Sequence, residues 1–185
     1  MKKFAVALLP LFVLLVSSAL AQDVTYNFDK STDFSKFKTY KWVTIQGAQK
    51  PDDLTDKQIK EAIDAELTKK GLTKTDADNA DLYIGYQPSI TQEKQLTTYN
   101  TGWGYGPSWG GYPASMGSTM TTGQTSTILI GQIALDMYDS ANHDLVWRSI
   151  ASKTLDPKAK PDKREKNIQK AAAKMLKNYP PPRKD

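Results

Sequence analysis

The chain has no cysteine and only one histidine, His143, among 185 residues. Without cysteine there is no disulfide, no thiol nucleophile and no thiolate metal site. Without a second histidine there is no paired-imidazole zinc site. The lipidated cysteine that anchors bacterial lipoproteins is missing as well. No His-Glu-x-x-His, Gly-x-Ser-x-Gly or Walker-type phosphate loop occurs. Neither charge sign dominates: 25 basic and 20 acidic residues leave a formal net charge of +5. That surplus is too small and too dispersed to point to nucleic acid. The residues call for no cofactor and no metal.

Only one long apolar run is present, residues 4–16. It is shorter than the roughly 20 residues that cross a bilayer, and it contains Pro10. Lys2 and Lys3 precede it, and residues 17–21 follow with small side chains at Ala19 and Ala21. This is the layout of a secretory signal cleaved after Ala21. The expected mature chain, residues 22–185, is periplasmic or secreted and has no integral membrane span. Losing Lys2 and Lys3, with no acid lost, takes the formal charge from +5 to +3. The length suits one domain, residues 22–179, with a Pro-rich basic tail at 180–185.

Periodicity supplies the elements. Val24, Tyr26 and Phe28 alternate with Thr25 and Asn27, as in a strand with one buried face. Residues 37–43 read as a second strand. Ile59, Ala62, Ile63, Glu66 and Leu67 share one helical face, apolar except for Glu66. Thr55 with Gln58 has capping-box spacing, Leu54 with Ile59 has staple spacing, and Gly71 ends the helix. Leu82, Ile84, Tyr86 and Ile90 mark a third strand. Residues 128–138 and 145–153 form a hairpin about the turn formers 139–144. A second helix starts at Pro161-Asp162, carries the stripe Ile168, Ala171, Ala172, Met175 and Leu176, and stops at Pro180-Pro181-Pro182.

Short helices need their apolar stripes covered. The expected fold is therefore α+β, a two-layer sandwich: one mixed sheet of about five strands, two helices on one face and a long Gly/aromatic-rich loop. The second and third strands flank the first helix, so a parallel pairing between them makes a right-handed crossover.

The run Asp33-Phe34-Ser35-Lys36-Phe37-Lys38-Thr39-Tyr40-Lys41-Trp42 resembles the opening signature of a family of bacterial envelope proteins, domain-of-unknown-function family 4136. The resemblance continues through Ile63, Lys70-Gly71, Ala80-Asp81-Leu82, Val146-Trp147-Arg148, Met175-Leu176 and Tyr179-Pro180-Pro181. It implies an exported protein, often a lipoprotein, and carries no activity, substrate or catalytic residue. The missing cysteine at the cleavage site departs from the lipoprotein pattern.

Residues 93–124 read as an irregular stretch, longer than most loops inside domains. It holds Trp103, Tyr105, Trp109 and Tyr112 among glycines. Exposed aromatics stack on sugars or fill a partner's pocket at low entropic cost. Three readings stand: a lid folded on the sheet, a flexible spacer, or a binding surface. Trp42 and Trp147, on strands, read as packing. The leading function is a non-catalytic envelope binding or assembly module. Its partner would be an envelope protein, a cell-wall glycan or a second copy of the chain. The alternative is a cell-wall or glycan hydrolase built on paired aspartates, Asp136 and Asp144. A third is a small apolar ligand held between sheet and helices. Asp76, Asp78 and Asp81 lack the spacing of a calcium loop and read as turn acids, as do Asp52, Asp53 and Asp139. His143 reads as a solvated turn residue, and the lysine flank of the last helix (Lys163, Lys166, Lys170, Lys174, Lys177) as its solvated side.

Overall fold

The computed structural model describes residues 22–100 and 121–182. The expected signal segment and the tail end from Arg183 to Asp185 lie outside them. Strands β1 (Asp23–Phe28), β2 (Thr39–Trp42), β3 (Thr73–Lys74), β4 (Leu82–Asn100), β5 (Thr121–Asp139) and β6 (Leu145–Leu155) form one sheet. Their order is β1-β6-β5-β4-β2-β3. The helices are α1 (Asp53–Lys69) and α2 (Pro161–Met175), and a short 3-10 turn, Phe34–Lys36, precedes β2. Pairing of β2 with β3 and β4 is parallel, and the other pairings are antiparallel. The sheet is thus mixed, and β2, α1 and β4 make a parallel unit as the sequence suggests.

The sheet has six strands, one more than the approximate five. The extra one, β3, is two residues long and pairs Thr39–Tyr40 with Thr73–Lys74 at the edge. Both helices and one set of alternate strand positions share a buried cluster. Ile59, Ile63, Leu67, Ala172, Met175 and Leu176 meet Tyr40, Leu82, Ile84, Leu135, Met137 and Trp147 there. Trp147 is its centre: Tyr26 stacks at 5.2 Å, and Tyr179 meets it edge-on at 5.4 Å. Its indole N–H and the Ser149 hydroxyl are buried without a partner, so this region is held by apolar contact rather than by hydrogen bonds.

Asp64 of α1 ties the layers together. One carboxylate oxygen accepts from the Tyr40 hydroxyl (2.8 Å) and the Trp42 indole N–H (2.7 Å), while Lys74 pairs with the other. Trp42 and Trp147 are therefore packing residues, as their strand positions imply. Val146 is an extra residue in β6: the register passes from Met137↔Trp147 to Tyr138↔Leu145. This bulge lets Val146 join the core and hand its carbonyl to Asp29 N–H at 3.0 Å.

The start of α1 differs from expectation, whereas α2 starts at Pro161 as expected. Asp52, not Thr55, caps α1, its side chain accepting the Thr55 N–H at 3.0 Å. A carboxylate serves this cap better, because it also meets the positive end of the helix dipole. Leu54 is 75% exposed, so the staple with Ile59 does not form. Pro161 is the first residue of α2, with Lys160 before it and no side-chain cap. Gly71 does end α1, at φ +83°, a conformation glycine adopts freely.

Candidate functional site

Strands β4 and β5 are each 19 residues long, and the rest of the sheet is not. On one side β6 leaves β5 at the pair Leu129↔Leu155, and on the other β2 leaves β4 at Trp42↔Ile84. From Glu93↔Ile128 to Asn100↔Thr121, eight pairs, β4 and β5 pair only with each other among the described residues. They make a two-stranded ribbon about 25 Å long beyond the body of the sheet. The irregular stretch expected over 93–124 is therefore ladder at both ends. Trp103, Tyr105, Trp109 and Tyr112 lie outside the described residues, between the paired ends Asn100 and Thr121.

The ribbon's edges carry few of the devices that protect edge strands. Residues 121–135 of β5 contain no charge and no proline. Glu93 and Lys94 are the charged residues of β4 from Thr91 to Asn100. Nearer the body, Ile84 turns its carbonyl outward to accept the Val43 N–H at 2.8 Å. Pro88 lies four residues on, in the same orientation, so its missing N–H falls on the side where β4 has no neighbouring strand.

The face of the sheet away from the helices holds a second cluster. Asp136 is fully buried there, although it points away from the apolar core. Arg148, its partner across the ladder, donates Nε to Oδ1 at 2.6 Å and Nη2 to Oδ2 at 2.7 Å. Gln87 Nε2 approaches Oδ2 at 3.3 Å. On the other side of Asp136 stands Gly85, over which Ile45 lies: a Cβ on Gly85 would come 2.6 Å from Ile45 Cγ1. The chain after β2 thus crosses this face as a strap. It turns at Ile45–Ala48 with an Ala48 N–H to Ile45 carbonyl bond of 3.1 Å and Gly47 at φ +79°.

This arrangement does not bring the two expected catalytic aspartates together. Both oxygens of Asp136 are taken by Arg148. Asp144 lies in the β5–β6 turn, its carboxylate accepting from the Asn142 amide at 2.6 Å. The remaining acids are structural. Burial pushes the Asp81 carboxyl up, but the Lys38 and Thr39 N–H groups and the Thr39 hydroxyl outweigh it and hold the carboxyl below its ordinary value. The Lys36 ammonium at 2.6 Å holds Asp139 down. Asp78 pairs with Lys41 and Asp53 with Lys50. Among the described residues, no three histidine or carboxylate groups cluster as metal ligands. His143 sits in the turn at φ +62°, its ring 5.9 Å from that of Tyr83. On the α2 flank, Lys163 pairs with Asp156, and Lys174 donates to the Gln22 carbonyl.

Sequence reasoning passed over Arg148, Gln87 and Ile45 as site residues. The traces were Arg148 in the Val146-Trp147-Arg148 step and the positions Tyr83, Gly85 and Gln87 alternating with the apolar positions of β4.

A family model described as "Domain of unknown function (DUF4136)" matches residues 24–181. The chain belongs to that family. No curated protein matches the sequence. Among solved structures, the fold is similar to that of a PDZ domain protein from Parabacteroides distasonis, with TM-score 0.55 and 18% identity. The match covers 88% of this chain and 37% of that one, so the likeness is of fold and to a part of that protein. A PelC dodecamer from Paraburkholderia phytofirmans is more distant, with TM-score 0.47 and 11% identity over 84% of this chain and 95% of that chain. No helix among the described residues is long and apolar enough to cross a membrane.

Proposed function

We propose that the protein is exported to the periplasm or secreted and acts there without catalysis, as a binding or assembly module of the bacterial envelope. The contact residues in this reading are Trp103, Tyr105, Trp109 and Tyr112. One observation carries it: the β4–β5 ribbon stands clear of the sheet for eight pairs and ends where the Gly/aromatic segment begins. A hairpin that no third strand or helix covers adds little to stability. A ribbon of this length is therefore better explained by contact with another molecule than by the fold's own needs. Its uncharged β5 edge supports the same reading, since exposed edges are otherwise guarded by charge or proline. The residue pattern of segment 1–21 supports export.

The test is capture from envelope extract by the mature protein, beside a variant with all four aromatics changed to alanine. The native chain is expected to retain a protein or cell-wall glycan that the variant loses, with the thermal midpoint of the variant within about 2 °C. Equal capture by both would remove the aromatic segment from the function. A large fall in midpoint would make the aromatics a packed lid.

A further inference from the structure

We infer that the cleft between the strap and the sheet face away from the helices is a binding site for a neutral sugar unit, independent of the aromatic segment. The cleft measures about 370 Å³, at the small end of ligand sites. Gln87, Ser89, Gln132, Ala134 and Ile150 come from three adjacent strands, and residues 47–49 of the strap face them. Pro88 and Ile90 complete the lining.

Charge decides the class of ligand. None of the lining side chains is ionisable. The neighbouring charges, Asp136 and Arg148, close on each other in a bidentate pair. An anion entering the cleft meets a cation already neutralised, and a cation meets a carboxylate with both oxygens engaged. Either would give up water without a partner, which is costly. A neutral ligand has no such cost.

Hydrogen bonding narrows the class further. Gln49 and Gln132 each offer both an amide donor and a carbonyl acceptor, Gln87 offers its carbonyl, and Ser89 adds a hydroxyl. A wholly apolar ligand would leave these groups unpaired. The Gln87 amide nitrogen is directed to Asp136 at 3.3 Å, which leaves its oxygen as the acceptor for a ligand. An extended peptide pairs best with a strand edge, whereas this floor is built of side chains on a sheet face. Hydroxyl groups around an apolar ring match such a mixture: hydroxyls for the amides, ring carbons for Ala134 and Ile150.

The test is a titration of the ¹⁵N-labelled mature protein with N-acetylglucosamine, with glucuronate and glucosamine as charged counterparts. Saturable amide shifts are expected at residues 47–49, 87–90 (Pro88 has no N–H) and 132–134, with binding at least tenfold weaker for both charged sugars. Ala134→Phe fills the floor and should abolish the shifts, and Gln87→Leu should weaken binding at least tenfold. Gln132 is exposed, so Gln132→Ala should stay within about 0.5 kcal/mol of the native stability and supplies the loss of affinity should Ala134→Phe fail to fold. No saturable shift up to about 100 mM would overturn the inference. So would tighter binding of a charged sugar. Shifts confined to residues 101–120 would also overturn it, while leaving the proposed role of the aromatic segment standing.

Discussion

Strands β4 and β5 belong to two different environments along their length. From Leu82 to Tyr86, β4 sends Leu82 and Ile84 into a core roofed by α1, and Tyr86 bonds Asp56 of that helix. From Ile90 to Gln95 the same strand is exposed at every residue, with Ile90 at 67%. The hydrogen-bond ladder is continuous through both stretches. What changes is the third partner: β2 and the helices cover the first stretch, and β6, which flanks β5 as far as Leu129 opposite Gln92, ends within the second. Backbone pairing is nearly neutral in water, because each bond replaces one to solvent, so stability resides in the covered part. The ribbon is free to serve contact, because little of the fold depends on it.

The comparison can be broken most forcefully at Trp147. Trp147→Ala should cost about 3–5 kcal/mol, read as a lowered urea midpoint. Trp147→Phe should cost clearly less, since the indole N–H has no partner to lose. A Trp147→Ala cost below about 1 kcal/mol would show that the body does not rest on this cluster. Next comes Arg148→Ala, which strands the buried Asp136 carboxylate. About 3 kcal/mol is expected, the lower end for such pairs because the guanidinium is itself 43% exposed.

Acid should act on the body through Asp81 and Asp139, whose folded pKa values lie below the ordinary ones. Their contribution is complete above the unfolded carboxylate pKa near ~4 and is lost as pH falls through the lower folded values. Asp81→Asn should flatten the acid limb of a stability–pH curve; an unchanged limb would contradict the three-bond account of Asp81. The smallest effect belongs to the exposed stretch of β4: Ile90→Ala should stay within about 0.5 kcal/mol of the native chain. A larger loss would mean that the exposed stretch is part of the core.

Much of the body was legible because burial imposes a period. The stripe Ile59, Ala62, Ile63 and Leu67, the stop at Gly71 and the β5–β6 hairpin all follow from residues that repeat at helical or strand spacing. The ribbon was not legible for the same reason. Residues 90–95 are all exposed, and 93–100 and 121–124 show no apolar alternation, so they read as loop. Strand β3 is too short to have a period. Asp52, Asp53 and Thr55 are all competent caps, and only the chain's path toward α1 chose Asp52. Asp136 and Arg148 stand twelve residues apart and meet through register, which no local spacing announces. Trp103, Tyr105, Trp109 and Tyr112 were readable as residue types, but the pairing of Asn100 with Thr121 on either side of their segment was not.

Excision of the ribbon tests the separation of body and contact most directly. Glu93 and Ile128 face each other in the ladder, so residues 94–127 can be replaced by a two-residue Asn-Gly turn. The shortened chain should unfold cooperatively with a midpoint within about 3 °C of the native protein and should lose the partner that the variant with all four aromatics changed to alanine loses. A shortened chain that folds and still captures the same partner would contradict the account and move the contact surface to the body.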